Sequence, residues 1–130
     1  MKHLPNIIFK SINHKKQRYE TVGDYYQNGK KWNFRVSRMN AKYEFLVLIH
    51  ELIEWFYCLL SGIKEKDISK FDKMYEEERK LGLHKIEDEP GFDIRAPYRK
   101  QHIFADKIER LIAKELNINW KMYSKIVSNL

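Results

Sequence analysis

The sequence predicts an α+β domain: an antiparallel β-hairpin or three-stranded sheet at the N-terminus, packed on a C-terminal helical bundle. Three observations carry this. Residues 1–38 hold short β-rich runs around an Asn-Gly dipeptide. Residues 40–61 form a long apolar stretch with a cap at each end. Residues 97–116 repeat apolar side chains at helical spacing. At 130 residues the chain suits one domain, with a basic β-rich part (1–38) and a helical part (40–130).

Leu4–Ile12 is a short apolar run with β-branched residues and reads as a strand. Tyr19–Tyr26 and Lys31–Arg38 flank Gln27-Asn28-Gly29-Lys30. A type I′ turn on Asn28-Gly29 would pair Tyr25 with Trp32, Gly23 with Phe34 and Thr21 with Val36. These residues share one face, destined for the core, while Glu20, Asp24, Lys31, Asn33, Arg35 and Ser37 line the other. Asn40 caps a helix that runs to about Ser61, where Gly62 stops it. Phe45 to Leu60 is nearly all apolar, so this helix is buried on most sides. Ser69-Lys70-Phe71-Asp72 resembles a capping box and starts a second helix that ends near Leu81, before Gly82. Residues 83–97 carry Glu89-Pro90-Gly91 and Ala96-Pro97 and read as an ordered loop. Pro97 opens the next helix, to about Leu116, and Asn119 caps a last one from Trp120 to Val127.

Composition excludes several classes. With 43% hydrophobic residues the chain is not intrinsically disordered. The single cysteine, Cys58, rules out an intrachain disulfide and reads as a small buried apolar residue. Residues 1–12 lack the pattern of a cleaved signal peptide, and no stretch reaches the length of a membrane span, so a cytosolic setting is expected. The net charge of +7 is uneven: residues 1–42 hold ten Lys/Arg and two acids (+8), and residues 43–130 hold fifteen and sixteen (−1). Lys30, Lys31, Arg35 and Arg38 on or beside the hairpin are thus candidates for meeting nucleic acid or an acidic partner, or simply a solvated basic face.

One constellation carries chemistry. In His50-Glu51-Leu52-Ile53-Glu54, His50 and Glu54 lie one turn apart on the same side of the apolar helix. An imidazole and a carboxylate so placed suit Zn²⁺ or another divalent metal, and Glu51 beside them is placed to act as a general base. The helix after Pro97 offers His102 as a third ligand. Asp93, Asp106 and Glu109 are alternative ligands or groups that orient an imidazole. The same residues would also serve as the polar face of an amphipathic helix.

The His-Glu-x-x-Glu pattern of residues 50–54 resembles the zincin metallopeptidase helix, His-Glu-x-x-His. The resemblance implies that His50 and Glu54 are ligands, Glu51 the base and His102 the downstream ligand. Glu54 stands where zincins have their second histidine. His50–Trp55, Pro90–Tyr98 and His102 are also similar to a group of small phage and bacterial proteins of unknown function. That group shares a His-Glu-Leu-hydrophobic-Glu-Trp helix and a later Pro-Gly-x-Asp-x-Arg-Ala-Pro-Tyr segment. Glu51-x-x-Glu54 with Asp106-x-x-Glu109 resembles the carboxylate pairs of Mg²⁺-dependent nucleotide pyrophosphohydrolases. Three functions follow as expectations: a metal-dependent hydrolase of peptidase type, a non-catalytic module that binds nucleic acid or a partner, and a pyrophosphohydrolase.

Overall fold

A computed structural model describes residues 1–130. A three-stranded sheet packs against four helices, the α+β architecture read from the sequence. The strands are β1 (Asn6–Ile12), β2 (Gly23–Asn28) and β3 (Lys31–Ser37), in the order β1-β3-β2. The helices are α1 (Ala41–Ser61), α2 (Glu65–Lys80), α3 (Arg99–Glu115) and α4 (Trp120–Ser128). No helix is long and apolar enough to cross a membrane.

The hairpin forms, with its pairing displaced. Tyr25 faces Phe34 and Gly23 faces Val36, and the two-residue turn is Gly29-Lys30. Gly29 has φ +63° and Lys30 does not share a positive φ, so the glycine takes the first central position, as in a type II′ turn. A displacement by two residues keeps every side chain on its face. Tyr25, Trp32, Phe34 and Val36 are therefore buried as expected. The second difference is β1, which joins β3 in parallel, Ile7 beside Trp32 and Phe9 beside Phe34. The connector after it returns the chain to the far edge of the sheet.

Asn40 accepts from the Tyr43 N–H at 3.0 Å and caps α1. α2 begins at Glu65, four residues ahead of the predicted Ser69, so Ser69 and Asp72 lie inside the helix and both are buried. Neither caps it; Asp72 instead accepts from the hydroxyls of Tyr98 and Tyr19. Residues 83–97 are ordered around a single 3₁₀ turn at Pro90–Phe92.

Two apolar packs hold the elements together. Trp55 of α1 meets Trp32 and Phe34 edge-on, with ring centroids 5.7 and 5.2 Å apart. Further up α1, Leu46 and Val47 pack with Val36, Ala113, Ile118 and Tyr123. Between them on α1 sit His50 and Glu54, both buried, facing α3.

Candidate metal centre

α1 and α3 bring His50, Glu54 and His102 to one point. His50 Nε2 lies 3.1 Å from Glu54 Oε2 and 3.0 Å from His102 Nδ1, and His102 Nδ1 lies 2.8 Å from the same Glu54 oxygen. Three donor atoms therefore form a triangle with edges of 2.8–3.1 Å. Donors about 2.1 Å from a tetrahedral ion are about 3.4 Å apart, so a small outward movement would seat Zn²⁺. The cluster is geometrically able to hold a divalent metal.

The other atoms of these side chains are oriented too. His50 Nδ1 donates to Glu109 Oε1 at 2.7 Å, and Tyr123 donates to Glu109 Oε2 at 2.6 Å. Tyr25 donates to the second oxygen of Glu54 at 2.8 Å. His102 Nε2 lies 3.4 Å from Glu89 Oε1 and makes no hydrogen bond to it or to any other group. The carboxylate hydrogen-bonded behind His50 is the arrangement that fixes ring orientation in metal sites. It also fixes the tautomer. A neutral His50 that donates from Nδ1, and a neutral His102 with its proton on Nε2, both present lone pairs to Glu54. Three converging lone pairs require a proton or a cation among them.

Without metal, protons fill that role. Burial opposes a charged His50, but hydrogen bonds to Glu109 and Glu54 outweigh it and raise its proton affinity well above the usual imidazole range. Burial likewise opposes a charged His102, yet the Glu54 and Glu89 carboxylates lift it to about 9. Glu54 is held down at about 2, because the two imidazoles overcome its desolvation. The signs set a window. The contribution of His102 is complete below about 6.5 and is lost as pH rises through about 9. That of Glu54 is complete above about 4.5 and is lost as pH falls through about 2. Metal-free protein is thus expected to lose melting temperature from pH 6.5 to 9. Metal affinity should rise over the same range, since ligands must shed their protons. Calorimetry with and without chelator checks both slopes; a metal-free melting temperature that climbs with pH would contradict the network.

Glu51 lines the same cavity of about 400 Å³ as His50, Glu54 and His102. Its carboxyl has no hydrogen-bond partner within the protein, and burial together with the charge of Glu54 raises its proton affinity well above the usual carboxylate range. Two glycines make room around the site. A Cβ on Gly23 would come within 2.6 Å of Glu51 Oε1, and a Cβ on Gly91 would overlap the His102 ring. Gly91→Ala is therefore expected to displace His102 and weaken metal binding by about 10–100-fold, the usual cost of disturbing a ligand's support. Chelator competition against wild type measures it; unchanged affinity would show that the 90–92 turn moves instead.

The remaining candidates fall elsewhere. Asp93 accepts from Arg95, which also reaches Glu78, so it ties the 83–97 loop to α2 and is no part of the cluster. Asp106 is buried rather than turned to solvent, but it is held by Arg110 at 2.8 Å. Glu109 supports His50 from behind. The two carboxylate pairs therefore do not close into an all-oxygen cage of the kind Mg²⁺ prefers. Cys58 is buried, and burial pushes its thiol up to about 12, so it holds no thiolate at neutral pH. Tyr25, Tyr123 and Glu89 were not legible as site residues; only the fold brings them there.

No family model, curated protein or solved structure matches this chain. The cluster itself is consistent with a zincin-like arrangement.

Proposed function

We propose that this chain is a metal-dependent hydrolase of zincin-like type. His50, Glu54 and His102 hold one divalent ion, Zn²⁺ by donor set, and Glu51 serves as general base. The observation that carries the reading is the 2.8–3.1 Å triangle of two imidazole nitrogens and one carboxylate oxygen, deep between two helices. Two nitrogens and one oxygen suit Zn²⁺ better than the oxygen-seeking Mg²⁺. Bound there, such an ion supplies Lewis acidity toward water and a substrate carbonyl.

The chain's own residues do the rest. Glu109 keeps the His50 imidazole aimed inward, Gly91 and Phe92 pack against the His102 ring, and Tyr25 keeps Glu54 from rotating. Glu51 is a free carboxyl in the cavity whose proton affinity burial raises above that of an ordinary carboxylate, the direction a general base needs. Elemental analysis of protein purified without added metal tests the first half: one ion per chain is expected, and none in His50→Ala or His102→Ala. Metal that survives both substitutions would refute the assignment. Peptide hydrolysis, lost in Glu51→Gln with metal retained, tests the second half.

A further inference from the structure

One edge of the sheet, at Gly23–Tyr25, borders the metal cavity, and the sheet's outer face has a ligand chemistry of its own. The inner face of the sheet is covered by α1. On the outer face the register sets Lys10 beside Arg35 and puts Lys31 and Asn33 further along β3, with Tyr26 opposite Asn33. Lys10 and Lys31 are exposed, and Asn33, Arg35 and Tyr26 are half-buried. Lys30 and Lys31 continue the positive charge to the hairpin turn, and both are exposed.

These cations are unused by the fold. The carboxylate across from Arg35 is Asp24, and Arg18 already grips it in a two-point ion pair at 2.7 and 2.9 Å. Arg35 makes no ion pair, and its buried Nε has no hydrogen-bond partner. Lys10, Lys30 and Lys31 make none either. Arg18 and Arg35 lie over the Tyr26 ring, 4.2 and 5.2 Å from its centroid. The result is a planar cation held on an aromatic ring, with free lysines on β1, β3 and the turn, beside the part of this face that Arg18 and the 14–16 turn cover at Asp24 and Ser37.

We propose that this outer face, centred on Lys10, Lys31, Arg35 and Tyr26, binds the phosphate backbone of nucleic acid. Charge complementarity argues for it. Residues 1–42 carry +8 with only two acids, and both acids are already paired, Glu20 with His14 and Asp24 with Arg18. A guanidinium that makes no ion pair within the fold matches a phosphate in geometry as well as charge. An acidic protein would be met by the same charge, but cations spread over β1, the hairpin turn and β3 match an extended polyanion with a charge at every unit. None of Lys10, Tyr26, Lys31 and Arg35 lines the metal cavity.

Fluorescence anisotropy of the full chain with a labelled 20-nucleotide single strand and a 20-base-pair duplex tests the proposal, with a labelled polyglutamate peptide as the acidic-protein control. Between 50 and 200 mM salt binding is expected to weaken by about 50-fold for the single strand or about 150-fold for the duplex, as four phosphate contacts would give. Lys10→Ala, Lys31→Ala and Arg35→Gln should each weaken it and lower the salt slope by about 0.7–0.9. Metal content should stay unchanged in all three, which separates a failure here from a failure of the metal assignment. Preference between strand and duplex identifies the source of the phosphates. No binding to either at 50 mM salt, tighter binding to polyglutamate, or indifference to all three substitutions would overturn the proposal.

Discussion

Replacing His102 by alanine is expected to drop bound metal from one ion per chain to background and to remove the metal's share of stability. A ligand present at about 1,000 times its Kd stabilises the folded state by about 4 kcal/mol. For a chain of this size that is a fall of roughly 10–20 °C in melting temperature. The effect is large because a three-donor site has no spare ligand. Glu89 cannot step in from behind, since it faces the far nitrogen of His102, 3.4 Å away. Glu109 is committed to His50 and Tyr123.

The substitution also harms the metal-free protein, by a smaller amount. Glu54 Oε2 loses its 2.8 Å bond to His102 and keeps the one to His50 at 3.1 Å. Partial loss of partners around a buried carboxylate costs about 1–3 kcal/mol. A chelator separates the two contributions. Wild type should fall toward the variant when chelator is added, while His102→Ala should not respond. A wild-type melting curve indifferent to chelator, in protein shown to contain metal, would mean the ion sits elsewhere.

How far the sequence foretold this site depends on which side chains act through local geometry. His50 and Glu54 are one helical turn apart, so any helix over 41–61 sets them side by side, and the Asn40 and Gly62 caps make that helix legible. His102 needed only two helices to pack with their polar edges inward. Glu109 was legible as a candidate for the same reason, being seven residues on from His102. Tyr25 and Tyr123 were not, because a buried tyrosine at an apolar position reads as core until its hydroxyl is seen to have a partner. Glu89 and Gly91 were hidden in a loop whose path no periodicity fixes. The hairpin register was missed by two residues because Asn28-Gly29 and Gly29-Lys30 both satisfy a tight turn, and face alternation cannot tell them apart. The start of α2 was misplaced because Ser69-x-x-Asp72 mimics a cap. In the fold Asp72 is drawn inward by two tyrosine hydroxyls instead.

Glu51→Gln should separate chemistry from metal binding more sharply than any other substitution. Glutamine keeps the shape of the side chain against Gly23, so the packing that leaves no room for a Cβ there is preserved. It removes a carboxyl on the same helix as His50 and Glu54 that neither binds a partner within the protein nor belongs to the donor triangle. Loss of a general base costs about 10²–10⁴ in turnover. Cleavage of a mixed peptide library, followed by mass spectrometry, should therefore fall by that factor with one metal ion still present per chain. Stability should move the other way. The folded protein holds a proton on Glu51 at pH values where the unfolded chain has released it, so this carboxyl destabilises the fold increasingly as pH rises above about 4.5. Glutamine lacks that penalty, and the variant should match wild type near pH 4 and melt higher at pH 7–8. A residue that weakens the fold yet is required for turnover is one retained for its chemistry. Equal turnover in variant and wild type would remove Glu51 from the reaction. A wild type that carries its metal but cleaves no peptide would exclude peptide hydrolysis and leave the ion a clamp between α1 and α3.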